Sequence, residues 1–348
     1  MDRSRLLGLL PGRSGPAAAA GPRGPGHRRR ALQALLAAAS ALALLLWWLL
    51  PSDGAAYPRA PISLATGVSD GVYEKYGVLL KNDLRTALPG VPVRLERTAG
   101  SVENIEQVVS GRADFTIAAA DAVASYDGPG KNDLRACARL YDDYMQLVVP
   151  RDSTVRSARD LRGLRVGVGQ AGSGVNLIAR RLLTAAGLDT GKDLTAVPVG
   201  IDKAPSMLLH HRLDAFFWSG GLPTATVAAM TAPVDHIKLV QLGDLAERLN
   251  AMGPQMRYYR QAVMPADTYP TAQGGQAVAT IAVANLLITT DHANAALVER
   301  LTKAVIDSRD SIGKVVHAAQ LVDLRTAVFT DPLPLHAGAE RYYRSAKP

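Results

Sequence analysis

From Pro61 onward the chain alternates short β-type runs with helical patterns, and this alternation limits the fold more than any other feature of the sequence. Strands that alternate with helices build a mainly parallel sheet covered by helices on its faces. Ile62–Thr66 reads as a strand. After it, Val72, Tyr76, Leu80, Leu84 and Leu88 recur every fourth residue, as on one face of a helix, until Pro89-Gly90 stops the pattern. Val93–Thr98 is predicted as the next strand, Ser101–Ser110 as a helix and Phe115–Ala118 as a third strand, with a helix from Asp121 to the stop at Gly128-Pro129-Gly130.

A second series begins after the apolar strand Met145–Pro150 and the polar stretch Arg151–Thr154. It runs through strand Leu164–Val168, helix Val175–Ala186 ending at Gly187, strand Thr195–Val199, helix Ala204–His211, strand Ala215–Phe217 and a helix from Pro223. The long β run Thr280–Thr290 precedes a helical end that includes Ala295–Ser308. At 348 residues the chain exceeds the usual single compact domain. The expectation is therefore α/β with two lobes: lobe I over 61–147 with 288–348 returning to it, and lobe II over 148–287. The crossings fall at 146–150 and 279–290, with Tyr258–Met264 as the competing place for the second. The repeat of Lys81–Arg85 as Lys131–Arg135 straddles a helix and a turn, and reads as chance.

Residues 1–30 are Pro, Gly, Ala and Arg, a composition that cannot bury a core, and are expected to be a disordered basic arm. From Ala31 to Leu50 there is no charge, and Arg28-Arg29-Arg30 stand on one side only. Twenty residues at about 1.5 Å each cover the roughly 30 Å of a bilayer core, and the arginines hold the amino end in the cytoplasm. This hydrophobic helix over 31–50 is a signal peptide cut after Gly54-Ala55-Ala56 or an uncleaved anchor, to which Trp47-Trp48 would suit the membrane interface. Residues 51–60 form the linker. Either fate places the folded part outside the cytoplasm, secreted, periplasmic or held on the outer face of the membrane.

The net charge of +8 belongs mostly to this leader: residues 1–56 carry seven arginines against two aspartates. The folded part is nearly balanced and only 5% of the chain is aromatic, which argues against a nucleic-acid surface. Cys137 is the one cysteine, so a disulfide framework and a cysteine-based zinc site are excluded. His210-His211 point different ways on a helix and lack completing ligands, so no metal site is expected. No paired carboxylates stand out. Gly167, Gly169 and Gly172 spell G-x-G-x-x-G. Its acidic partner would be Asp189, just past the helix-ending Gly187 rather than at the tip of the next strand, and the dinucleotide reading fails there. An enzyme is not expected, nor is any cofactor.

Three glycine loops sit where strands stop and helices start: Gly67-Val68-Ser69-Asp70-Gly71, Gly100-Ser101, and Gly169 through Gly174. Glycine lets a backbone turn sharply against a ligand, and the following helix presents unpaired N–H groups with about half a positive charge. Open α/β sheets bind ligands beyond the carboxyl ends of their strands. The loops therefore predict a small-anion site in a cleft between the lobes. Ser69, Ser101 and Ser173 supply hydroxyls that would cap a helix or touch the ligand, and Asp70 is expected to cap the first helix.

Taken in order, several runs resemble the TAXI family, the solute-binding subunits of tripartite ATP-independent periplasmic (TRAP) transporters. They are Ala65-Thr66-Gly67 with Gly71-Val72-Tyr73; Gly100-Ser101-Val102-Glu103-Asn104; Gly111-Arg112-Ala113-Asp114; Asp160-Leu161-Arg162-Gly163-Leu164-Arg165-Val166; Gly172-Ser173-Gly174; Asp214-Ala215-Phe216-Phe217; and Leu335 through Tyr343. The resemblance spans about 61–345. It implies a two-lobed periplasmic-binding-protein fold of type II that closes on a small carboxylate, a glutamate- or glutamine-like amino acid or a dicarboxylate, and hands it to a TRAP-type membrane permease. By that pattern Tyr73, Ser101, Asn104 and the loop Gly172, Ser173, Gly174 touch ligand, with Trp218-Ser219 as a further candidate and Gly67, Ser69 and Gly100 from the loops above. His336 and Tyr342-Tyr343 are expected to tie the C-terminal segment onto a lobe. A receptor that reports to a membrane signalling partner remains the alternative, and neighbouring genes for a multi-span permease would favour transport. His211-Arg212 before Asp214, where the family usually has Gly, and Ser69-Asp70 in the first loop depart from the pattern; Asp70 leaves room for an amine-bearing ligand.

Overall fold

The computed structural model describes residues 26–49, 57–231 and 236–346. Residues 1–25 of the basic arm and 50–56 before the folded part lie outside the described residues, as do several side chains of the run 31–50. Helix α1 spans Gly26–Leu49 and exposes Leu32, Leu35, Leu36, Leu42 and Leu45. Among the described residues no helix is long and apolar enough to cross a membrane.

Residues 56–348 form a unit of their own, a mixed α/β structure built on one sheet. Its strands are β1 (Ile62–Ala65), β2 (Val93–Glu96), β3 (Phe115–Ala119), β4 (Leu134–Pro150), β5 (Arg165–Gly167), β6 (Thr195–Val197), β7 (Ala215–Gly220), β8 (Ile237–Val240), β9 (Arg260–Met264) and β10 (Val278–Thr290). They lie in the order β2-β1-β3-β10-β4-β7-β5-β6, with β8 on β4 and β9 on β10. Pairing is parallel within β2-β1-β3 and within β7-β5-β6. The two long strands β4 and β10 run antiparallel to each other between these sets. β4 pairs with β10 over its first part and with β7 and β8 over Tyr144–Pro150, while β10 pairs with β9 over Val278–Ala282 and with β3 over Asn285–Ile288. Tyr258–Met264, the competing crossing, contributes β9, an antiparallel neighbour of β10.

Alternation along the strands feeds two separate cores. Phe216, Val148 and Leu287 enter one with Tyr76, Leu80, Leu84 and Tyr141, whereas their neighbours Phe217, Leu147, Val149 and Leu286 enter the other with Ile105, Ile178 and Leu182. Successive strand side chains point to opposite faces, so helices must cover both faces of this sheet. The first four covering helices are α2 (Val72–Ala87), α3 (Ser101–Val109), α4 (Ala120–Ser125) and α5 (Gly174–Ala185). The fourth-residue repeat of α2 is explained by its burial, since Val72, Tyr76, Leu80 and Leu84 are its core-facing residues.

The C-terminal landmarks have the structural part expected of them. Leu335 bridges Ala136, the His336 N–H donates to the Ala136 carbonyl at 2.8 Å, and the Tyr343 hydroxyl donates to the Cys137 carbonyl at 3.0 Å. Cys137 is free and buried.

Candidate functional site

The carboxyl ends of β1, β3, β5 and β6, the Gly100-Ser101 loop and the last part of β7 converge on one cavity of about 60 Å³. Each contribution follows from a local break in the pattern. Gly67–Gly71 ends β1 and starts α2, Gly100 precedes α3, the loop 169–174 starts α5, and Val199-Gly200-Ile201 follows β6. Of the residues singled out by sequence, the cavity is lined by Gly67, Tyr73, Gly100, Ser101, Ser173, Gly174, Trp218 and Ser219. Three others stand elsewhere.

Asn104 is fully buried, and its amide is spent on the fold: Nδ2 donates to the carbonyls of Thr66 at 2.6 Å and Ile117 at 2.8 Å, and Oδ1 accepts from the Thr98 hydroxyl at 2.5 Å. It locks the ends of β1 and β3 beside α3 and does not line the cavity. Gly172 meets α3 instead, its carbonyl accepting the Glu103 N–H at 3.0 Å. Ser69 lies in the turn before α2, half-exposed and off the lining. Asp70 does not cap that helix. It adopts a left-handed φ of 64°, and the N-cap position falls to Gly71, without a side-chain hydrogen bond.

Ser101 is the first residue of α3, with Gly100 at the N-cap in a conformation (φ 129°) that only glycine takes readily. Its hydroxyl accepts the Ala119 N–H at 3.1 Å and lies 3.1 Å from the Tyr73 hydroxyl, which donates to Asn285 Oδ1 at 2.5 Å. Because Tyr73 has one hydroxyl hydrogen and gives it to Asn285, Ser101 must donate to Tyr73. Burial, with Asp143 second, holds the Tyr73 pKa well above its usual value, so the phenol stays protonated and donating. Ser173 is a true N-cap: Oγ accepts the Asn176 N–H at 3.0 Å and donates to the Gln170 carbonyl at 2.6 Å. The Trp218 indole N–H donates to Thr224 Oγ1 at 3.0 Å, leaving only the ring for the cavity. Ser219 has no hydroxyl partner among the described residues.

Reading the sequence missed the charged part of this lining. Asp121, in the first turn of α4, and Asp143, on β4, both line the cavity, so a pair of buried carboxylates is present where none was expected. Asp121 Oδ2 accepts the Tyr259 hydroxyl at 2.5 Å with Arg181 Nη1 at 3.6 Å. Burial raises its pKa, against the opposing Tyr259 hydrogen bond and Arg181 charge. Burial pushes the Asp143 carboxyl up to about 7, with Asn285 opposing and the charges of Asp142 and Asp121 adding. For Asp143 the available signal was the pair Asp142-Asp143 beside the apolar run Met145–Pro150 of the same strand, since charged side chains are rarely fully buried without a purpose.

The G-x-G-x-x-G run is used for packing. A Cβ on Gly167 would lie 2.8 Å from that of Phe216, and Gly169, at φ 80°, lets the loop press against Val175 and Asn176. Asp189 lies past α5, where its side chain accepts the Gly191 N–H.

A sheet of this topology, with glycine loops from two parallel sets closing on one cavity, defines an α/β binding-protein fold. Residues 64–346 match the model of the NMT1-like family, and the chain belongs to that family. Among solved structures it is similar to the periplasmic binding protein BugD, at 14% identity and a TM-score of 0.53 over 83% of this chain and 93% of that one. It is also similar to a protein of Bordetella bronchiseptica RB50 (19% identity, TM-score 0.49, covering 83% and 90%). A third is the alkanesulfonate-binding protein SsuA from Xanthomonas axonopodis pv. citri bound to MOPS (18% identity, TM-score 0.45, covering 84% and 86%). The likeness to BugD is one of fold, that of a periplasmic binding protein.

Proposed function

We propose that this chain is an extracytoplasmic solute-binding receptor that closes over a small organic solute with an acid group and delivers it to a membrane transporter. The observation that carries the reading is the convergence of loops from both parallel strand sets on one cavity. The lobes are then 61–147 with 288–348, and 148–287, joined through β4 and β10, and the solute's acid group sits at the N-termini of α3 and α5. Few, strand-like connections suit closure of two bodies about a hinge. The motifs shared with the TAXI family favour a TRAP-type permease as the partner. Of the site candidates, Gly67, Tyr73, Gly100, Ser101, Ser173, Gly174, Trp218 and Ser219 form the solute surface, Asn104 and Gly172 support it, and Ser69 lies off it. The leader supplies export, with or without cleavage before Tyr57.

A thermal-shift screen of the purified protein against amino acids, mono- and dicarboxylates, sugars and metal ions tests the reading. Stabilisation follows RT ln(1 + [L]/Kd), about 2.7 kcal/mol at a hundredfold excess over Kd. A shift confined to sugars or metals overturns it. Crosslinking in cells to a multi-span permease separates transport from signalling.

A further inference from the structure

We infer that the solute is a zwitterion, an amino acid with an apolar carbon skeleton, whose protonated amine is received by Asp143 together with Asp121. The inference rests on the receptor reading above and narrows its ligand. Asp143 is 5% exposed and Asp121 1% exposed; both line the cavity, and in each Oδ1 has no hydrogen-bond partner among the described residues. The two differ in how their charge is met. Asp121 has Arg181 and Tyr259 on its other oxygen. Asp143 has no ion-pair partner among the described residues, because Arg139 and Arg260 both pair with Asp142, the preceding residue on β4. A buried carboxylate with an idle oxygen and no counter-charge is strongly disfavoured unless something charged joins it. An ammonium group provides both the charge and up to three hydrogen-bond donors.

The remaining lining fixes the rest of the molecule. Among the described residues no Lys, Arg or His lines the cavity, so an acid group has only helix N-termini and hydroxyls to receive it. A second acid group would sit beside Asp143, whose charge no cation among the described residues offsets, which disfavours glutamate and dicarboxylates. Between the charged regions the walls are Val72, Val175, Ile178, Val199, Val283 and the Trp218 ring, which accept methylene or branched aliphatic groups. The hydrogen-bond chain Ser101, Tyr73, Asn285 ties the start of α3 to an amide neighbouring Asp143, so the parts of the site that receive acid and amine are held by one network.

Titration calorimetry on the full chain decides it, with two zwitterions as probes, L-leucine for an α-amino acid and 5-aminopentanoate for an ω-amino acid. Each is compared with its des-amino acid (4-methylpentanoate, pentanoate) and its des-carboxy amine (3-methylbutylamine, pentylamine), alongside glutamate and succinate. One zwitterion should bind at least a hundredfold more tightly than either truncated analogue and at least tenfold more tightly than glutamate or succinate; which one binds says where the amine sits on the skeleton. Asp143→Asn should lower that affinity at least thirtyfold without lowering the affinity for the des-amino acid, and the unliganded variant should melt no lower than the parent at pH 8. Succinate or a des-amino acid binding the parent as tightly as its zwitterion overturns the inference and leaves the receptor reading standing, and so does an unchanged affinity in Asp143→Asn. Binding by none of the probes overturns both. The comparison within the parent needs no variant, so a misfolded Asp143→Asn does not remove the test.

Discussion

Glu103 donates its backbone N–H to the carbonyl of Gly172 at 3.0 Å, which ties the first turn of α3 to the loop that begins α5. The approach is close all along this seam: a Cβ on Gly100 would lie 3.5 Å from both Cα and Cβ of Ser173. Two helix N-termini, one from each parallel strand set, are thereby held side by side around the cavity. Such an arrangement repels a cation and concentrates the pull on an acid group.

The seam makes Gly174 a test of closure. A Cβ there would fall 2.8 Å from Ser101 Oγ and 3.2 Å from its Cβ, and the Ser101 hydroxyl is not free to swing away because it holds Ala119 and Tyr73. Gly174→Ala is expected to keep the two sides apart and weaken solute binding about tenfold or more, roughly 1.4 kcal/mol. Without ligand the variant should melt close to the parent, since the two sides can part to relieve the clash and Gly174, the first residue of α5, gains little of the helix-interior advantage of Ala. Small-angle scattering should show less compaction on adding solute. Full compaction and parental affinity together would sink the idea.

Asn104 and Ser69 should behave oppositely, although sequence gave both the same part. Asn104→Ala removes a side chain that satisfies the carbonyls of Thr66 and Ile117 and the hydroxyl of Thr98, all without solvent. The Thr66 and Ile117 carbonyls keep only the long contacts from the Thr98 and Thr116 hydroxyls, and with about 1–3 kcal/mol for each buried group left poorly paired, denaturant unfolding should show a loss on the order of 3 kcal/mol. Ser69→Ala should leave stability within about 0.5 kcal/mol and solute affinity unchanged. A stable Asn104→Ala protein that binds poorly would instead make Asn104 a ligand contact.

The α/β class and the loops were legible because both depend on local pattern: the period of the apolar residues and the glycines at strand ends. Several boundaries shifted only slightly, with Thr280–Thr290 the bulk of β10, but β4 begins at Leu134, well before Met145–Pro150, and β8 at Ile237–Val240 was not read as a strand. Lining membership was not fully legible because it depends on where a side chain points once strands far apart in sequence are paired. Asn104 lies in the first turn of α3 just as a ligand contact would, yet β1 and β3 use up its amide. Asp143 and Asn285 come within one network only because β4 and β10, more than a hundred residues apart, run side by side. Asp70 failed as a cap since the turn before α2 needs a left-handed residue there.

Ser173 should act through the fold more than through the solute. Its hydroxyl accepts from Asn176 and donates to Gln170, which uses both its capping and its donating capacity. Ser173→Ala should therefore cost about 1 kcal/mol of stability, the usual loss for an N-cap, visible as a lower unfolding midpoint. Replacement by Thr, whose hydroxyl can still accept from Asn176 and donate to Gln170, should restore it.

Asp143 should make the unliganded protein less stable as pH rises. Its carboxyl sits near 3.8 when the chain is unfolded and is pushed up to about 7 by burial in the folded state. The folded protein thus holds a proton over this window that the unfolded chain has released, so the contribution to stability is fully present below about pH 4 and is lost by the time pH passes 7. The groups around it are Asp142 on the same strand, Asp121 from α4, Tyr73 from α2, Tyr141 and the amide of Asn285; the charges of Asp142 and Asp121 act in the same direction as burial. At about 1.36 kcal/mol per pKa unit, the parent should lose on the order of 3 kcal/mol relative to Asp143→Asn between pH 5 and pH 8. Comparing the two proteins cancels every other titrating group, so the difference in urea unfolding free energy at each pH isolates Asp143. Saturation with a solute bearing an ammonium group should flatten the difference, because the bound charge supplies what the proton did. Parallel curves for parent and variant, or a parent that gains stability on going from pH 5 to pH 8 relative to the variant, would show that Asp143 carries no such strain.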